Sequence, residues 1–90
     1  FNGVIENNSI SDFNNSGIRI VSSSNYTIRN NNIVNCYNGI LVDSATNFLV
    51  ENNFLKHSAA SGIVSLGNAK NVRLKRNNII QSQQSAIYFV

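Results

Sequence analysis

The sequence predicts a right-handed parallel β-helix with three strands per coil and about four coils of 22–24 residues. Three observations carry this. One short phrase returns four times at near-constant spacing. Inside each return, apolar and polar residues alternate with a period of two. An asparagine holds the same place in every copy.

The phrase is "IENNSI" at 5–10, "IRNNNI" at 28–33, "VENNFL" at 50–55 and "LKRNNI" at 74–79. Its first apolar column is Ile5, Ile28, Val50 and Leu74. The second is Ile10, Ile33, Leu55 and Ile79. Between them runs the asparagine column Asn8, Asn31, Asn53 and Asn77. All three step by 23, 22 and 24 residues. A further column, Gly3, Tyr26, Phe48 and Val72, precedes the first by two positions. Another asparagine column, Asn2, Asn25, Asn47 and Asn71, stands just before that. The coils accordingly run approximately 2–24, 25–46, 47–70 and 71–90.

A third strand follows in each coil, as "GIRI" (17–20), "GILV" (39–42), "GIVS" (62–65) and "AIYF" (86–89). Its inward columns are Ile18, Ile40, Ile63, Ile87 and then Ile20, Val42, Ser65, Phe89. Length differences fall between columns, in "NCYNG" and "SLGNAKN", where a coil absorbs insertions. The two-residue period and the Ile, Val, Tyr and Phe content mark strands. Strands this short bury no face alone. Stacked units solve that, each strand pairing with its equivalent about 4.8 Å away. Parallel connections of this kind are right-handed.

The asparagine columns have a physical reason. Each coil turns sharply between strands, and Asn tolerates the left-handed backbone region. A buried Asn amide can donate to the carbonyl of the equivalent Asn one coil away, so a stacked column satisfies itself. Gly17, Gly39 and Gly62 open the third strand, where positive φ or close backbone approach is expected. Ala86 takes that place in the last coil.

A leucine-rich repeat is the rival solenoid, since "FLVENNFL" at 48–55 fits its core phrase. That repeat wants Leu three residues earlier, where this chain has Ser23, Ala45 and Ala69. Leu is also scarce against Ile and Val, and the second half of each unit alternates. The β-helix therefore accounts for more of the sequence.

Eighteen Asn and twelve Ser among 90 residues can signal a low-complexity tract. The regular Ile and Val positions argue instead for a packed core. No apolar run is long enough to span a bilayer, and no leader is visible. The chain opens and stops inside its repeat and reads as an excerpt of a larger protein. One cysteine excludes an internal disulfide. The net charge of +3 comes mostly from Arg73, Lys75 and Arg76, with Lys70 close by. No aromatic residues interleave with these, so nucleic acid is not an expected partner.

The phrases "IENNSI…GIRI" and "VENNFL…GIVS" resemble the parallel β-helix repeat of pectate-lyase-like proteins, and the resemblance covers all four coils. That superfamily includes polysaccharide lyases, polygalacturonases, alginate epimerases, phage tailspikes, adhesins and periplasmic proteins of copper-enzyme maturation. The resemblance implies carbohydrate recognition along the outer face, and an extracellular, cell-surface or periplasmic setting. It leaves open whether the protein is an enzyme. If it is, a polysaccharide lyase or glycoside hydrolase is implied, with catalytic residues mostly outside this segment. A structural rod of an adhesin or tailspike, homo-oligomeric and continued by flanking coils, is the alternative.

Inward columns are core, so chemistry is sought on outward columns and turns. Glu6, Arg29, Glu51 and Lys75 form one outward column with alternating sign. Such a column is a charge ladder, or else Glu6 and Glu51 form a carboxylate pair two rungs, about 9.6 Å, apart. Arg29 between them would hold both ionised, which disfavours a general acid. Arg73, Lys75 and Arg76 form a cationic strip suited to an acidic glycan. In lyases of this fold an Arg or Lys on the first-strand face abstracts a proton, but the motifs around it are absent here, and the chain has no Pro. The acidic motifs of polygalacturonases and alginate epimerases are missing too.

His57 shares a turn column with Asp12, Asn35 and Gln81, two rungs from Asp12 and too far for a His–Asp pair. Scattered His, Cys and carboxylates suggest no metal, copper included, and no cofactor. Cys36, in column with Phe13, Ser58 and Ser82, reads as a packed inward thiol. The sequons at 7–9, 14–16 and 25–27 are those expected by chance in an Asn-rich chain. Leu41, Val64 and Tyr88, flanked by Leu66, form an outward apolar strip for a protein contact.

Overall fold

The computed structural model describes residues 3–67 and 69–89, with Phe89 described by its backbone alone. Twelve strands follow one another with no helix among the described residues. The first coil holds β1 (Gly3–Glu6), β2 (Ser9–Ser11) and β3 (Ile18–Val21). The second holds β4 (Tyr26–Arg29), β5 (Asn32–Val34) and β6 (Ile40–Asp43). The third holds β7 (Thr46–Glu51), β8 (Phe54–Lys56) and β9 (Ser61–Leu66). The fourth holds β10 (Lys70–Lys75), β11 (Asn78–Ile80) and β12 (Ser85–Phe89).

Equivalent strands pair in parallel, giving three sheets ordered β1-β4-β7-β10, β2-β5-β8-β11 and β3-β6-β9-β12. The register matches the repeat: Ile5 pairs with Ile28, Ile28 with Val50, and Val50 with Leu74. Ile10, Ile33, Leu55 and Ile79 pair likewise. Where two strands of one sheet differ by a single step in register, every side chain changes face, so this alignment decides what is core. Ile28, Ile33, Ile40, Phe48, Val50 and Leu55 are almost completely buried in one contiguous core. The Tyr26 and Phe48 rings pack at a centroid distance of 5.5 Å. Gly3 fits its apolar column because the Tyr26 ring occupies the space of its missing side chain.

The connection between first and second strands is two residues in every coil: 7–8, 30–31, 52–53 and 76–77. There the inner asparagine column forms the expected ladder, buried at Asn31 and Asn53. Asn8 Nδ2 donates to Asn31 Oδ1 at 3.0 Å, Asn31 Nδ2 to Asn53 Oδ1 at 3.0 Å, and Asn53 Nδ2 to Asn77 Oδ1 at 2.9 Å. The same oxygens accept the backbone N–H of the preceding ladder residue. The second amide hydrogens of Asn31, Asn53 and Asn77 go to the carbonyls of Ile5, Ile28 and Val50.

The left-handed backbone falls on the outer of the two asparagine columns, as expected, and not on the ladder column. Positive φ occurs one residue before the ladder, at Asn7, Asn30, Asn52 and Arg76, and not at the ladder residues. The ladder Asn must aim its amide inward, so its neighbour makes the corner. Three more columns turn the same way: Asp12, Asn35, His57, Gln81; then Ser22, Ser44, Gly67; then Asn25, Asn47, Asn71. The outer asparagine column is exposed, and it runs in the opposite sense, Asn71 Nδ2 donating to Asn47 Oδ1 at 2.9 Å and Asn47 Nδ2 to Asn25 Oδ1 at 3.2 Å. Asn2, assigned to that column, lies outside the described residues, as does the side chain of Phe89.

Gly17, Gly39 and Gly62 have no positive φ; close approach is their reason. A Cβ at Gly39 would overlap the Leu55 side chain and lie 2.5 Å from the Gly62 carbonyl oxygen. Two inward expectations and one outward expectation need correction. Phe13, in the Cys36 column, is 54% exposed, because the longer 12–17 connection carries it outward. Ile87 pairs with buried Ile63 yet is 47% exposed, since it faces the uncovered side of the fourth coil. Val64, on the outward strip, is only 5% exposed between its paired neighbours Leu41 and Tyr88.

Candidate functional site

The outward face of the first sheet is built from two columns. One is Val4, Thr27, Leu49 and Arg73; the other is Glu6, Arg29, Glu51 and Lys75. The alternating signs do make ion pairs, and their choice of partner is specific. Arg29 Nε donates to Glu6 Oε1 at 3.1 Å. Glu51 is engaged by Arg76, Nη2 to Oε1 at 3.5 Å, and not by its column neighbour Lys75. Arg76 Nε also donates to Asn52 Oδ1 at 3.2 Å, so its side chain lies back across the corner. Among the described residues, Arg73 and Lys75 have no ion-pair partner.

This geometry divides the six charged candidates. Glu6 and Glu51 are separated by the Arg29 rung, and each is held by an arginine, which suits a charge ladder better than an acid–base pair. Arg29 and Arg76 are neutralised by those carboxylates. Arg73 and Lys75 remain exposed and free, two positions apart on one strand, with side chains on the same side of the sheet. Beside Arg73 a hollow of about 380 Å³ is lined by Asn47, Phe48, Leu49 and Asn71.

The other candidates disperse. His57 is exposed at its corner, with Asn35 bonded to Asp12 at 3.2 Å one and two coils away. Among the described residues no three of His, Cys, Asp and Glu gather as metal ligands. Cys36 is buried, its Sγ 3.7 Å from the Val34 carbonyl. The Ser82 hydroxyl below it in the stack is buried without a partner. Among the described residues no helix is long and apolar enough to cross a membrane.

Two groups escaped the sequence reading. Tyr37, 50% exposed, meets Asn15, Ser16, Arg19, Asn38 and Leu41 around a cleft of about 380 Å³. Phe54 lies in a trough at the corner between the first and second sheets. Tyr37 sits in a connection of variable length, so the repeat gives its position no column. Phe54 has a column, Asn32, Phe54 and Asn78, whose outward placement was the available signal.

Three parallel sheets closed around one apolar core, with short strands in matching register and internal amide ladders, define a parallel β-solenoid scaffold. The chain belongs to the right-handed β-helix family: the model described as a right handed beta helix region matches residues 1–90. Its pectate-lyase-like character is consistent with that membership. No curated protein and no solved structure matches the chain.

Proposed function

We propose that this scaffold binds a polysaccharide along the outward face of its first sheet, favouring acidic sugars, in an extracellular, surface or periplasmic protein. The observation that supports this reading is the pair of unneutralised cations, Arg73 and Lys75, on one strand, with Arg73 lining the hollow shared with Asn47, Leu49 and Asn71. A sheet face with a rung every 4.8 Å or so accepts an extended polymer. Exposed cations meet carboxylate or sulfate groups through charge-assisted hydrogen bonds. The amides of Asn47 and Asn71, tied to each other, keep lone pairs for sugar hydroxyls.

One observation favours a purely structural rod instead. Arg29 and Arg76 spend their charge on Glu6 and Glu51, as in a ladder that serves stacking alone. The test replaces Arg73, Lys75 and Arg76 with Ser in the full-length protein and measures binding of acidic and neutral polysaccharides at two salt concentrations. The proposal expects salt-sensitive binding of the acidic polymer, weakened in the variant. Acidic-glycan binding that is unchanged, or that maps to the third sheet, leaves the rod as the better account.

A further inference from the structure

The trough at the corner between the first and second sheets carries a ligand chemistry different from that of the basic face. It measures about 510 Å³ and is lined by Asn30, Asn32, Asn52, Phe54, Arg76 and Asn78. Two rows build it. Asn30, Asn52 and Arg76 are successive corner residues with φ near 55°, which pushes their side chains outward. Asn32, Phe54 and Asn78 are paired in register at the start of the second-sheet strands. Their successors Ile33, Leu55 and Ile79 point into the core, so these three point out.

Hydrogen bonding separates this trough from the ladders around it. The amides of Asn31 and Asn53 beneath it are fully used by the ladder. Those of Asn30, Asn32 and Asn78 have no protein partner among the described residues. Each offers a donor pair and an acceptor to a ligand. Phe54, half-buried and therefore held in place, sits between Asn32 and Asn78. The one charge in the trough, Arg76, is already engaged by Asn52 and Glu51.

We infer that this trough is a subsite for an uncharged sugar, with Phe54 as the platform for a pyranose ring and the Asn30, Asn32 and Asn78 amides as partners for its hydroxyls; it rests on the saccharide-binding reading above. An aromatic face carries partial negative charge and attracts the weakly positive axial C–H groups of a pyranose. Free amides that both donate and accept match hydroxyls, which do the same. The absence of an unneutralised cation within the trough removes any preference for acid groups. The two rows repeat at each rung, so three rungs span about 9.6 Å and hold a short saccharide parallel to the solenoid axis.

The experiment titrates the full-length protein with cellotriose, mannotriose and trigalacturonate, following backbone amide shifts and affinity at low and high salt. The inference expects at least one neutral trisaccharide to shift Asn30, Asn32, Phe54 and Asn78, with little salt dependence. Phe54→Leu, which keeps an apolar side chain without the ring, lowers that affinity roughly five- to tenfold. Arg73→Ser with Lys75→Ser leaves it unchanged. Asn32→Ala with Asn78→Ala, at exposed positions, weakens it without reference to the Phe54 packing. Neutral binding that ignores both the Phe54 and the Asn variants, or shifts confined to another face, overturns the inference. If trigalacturonate binds in an Arg73- and Lys75-dependent way and neither neutral sugar binds, this subsite fails and the acidic-glycan reading stands. If none of the three binds, both fail.

Discussion

The carboxamide of Asn31 donates to that of Asn53 across 3.0 Å, with both residues only 2% exposed. Asn53 in turn holds four bonds. Its oxygen accepts from the Asn31 backbone and side chain, and its nitrogen donates to Ile28 and Asn77. Removing one member of a buried network leaves its partners desolvated and unpaired, which costs more than the bond itself contributes. Asn53→Ala is therefore expected to destabilise by about 3 kcal/mol or more, and Asn53→Asp comparably, since a carboxylate cannot donate. Asn8, exposed at one end of the ladder, should cost about 1 kcal/mol as Asn8→Ala. Urea unfolding of the three variants tests the ranking; equal losses at positions 8 and 53 would refute a cooperative ladder.

That ladder was legible because its logic is one-dimensional. A buried amide that repeats every 22–24 residues finds its partner in its own copy, so column alignment predicts contact. The same alignment placed Ile28, Val50, Leu55 and Ile40 in the core. It failed where neighbours along the stack are not equivalent. Val64 is covered by the larger side chains of Leu41 and Tyr88, a matter of volume that sidedness alone does not report. Arg76 reaches Glu51 from a different column because its side chain is long enough to cross the corner. On the candidate site, the charged residues were legible as a list. Their division into paired Arg29 and Arg76 and free Arg73 and Lys75 required side-chain geometry. Phe54 was overlooked because its outward neighbours are asparagines, which read as turn.

Close packing between coils gives a second prediction. At Gly39 an added methyl meets both the Leu55 side chain and the rigid carbonyl of Gly62. Leu55 can shift; the backbone oxygen cannot without disturbing the β6–β9 pairing. Gly39→Ala should cost about 1–3 kcal/mol as overpacking, despite the usual benefit of replacing glycine by alanine. The reciprocal Ala86→Gly, at an exposed position, should change stability by under about 1 kcal/mol. Thermal denaturation of both variants decides; a Gly39→Ala protein as stable as the parent would mean the coils are further apart than described.

His57 supplies a test of the corners. Its φ of 58° puts a non-glycine residue in the left-handed region, where its three column mates are Asp, Asn and Gln. Since the column is Asp12, Asn35, His57 and Gln81, no β-branched residue occupies it. His57→Val should destabilise by about 1–2 kcal/mol, because branching at Cβ crowds that conformation. His57→Asn should be neutral or slightly stabilising. A Val variant without loss would indicate that the corner relaxes to another conformation, visible as altered amide shifts at Asn35 and Gln81.

Glu51 offers the most direct functional test, because it opposes the proposed ligand on the first-sheet face. It binds Arg76 at 3.5 Å and stands between Arg29 and Lys75 in its column. Neutralising it as Glu51→Gln removes a negative charge from that face and releases Arg76 from its ion pair. The stability cost is small, since the Arg76 partner is 66% exposed and such pairs contribute about 0–1 kcal/mol. If the face binds acidic sugars through Arg73 and Lys75, the variant binds them more tightly and with a steeper salt dependence, as one more cation becomes available. Neutral-sugar affinity at the Phe54 trough should change little, because Arg76 can keep its bond to Asn52. Titrating parent and variant with trigalacturonate at two ionic strengths measures both effects. An unchanged or lower affinity for the acidic sugar in Glu51→Gln would remove this face as the binding surface, and the ion pairs would then stand as ladder rungs alone.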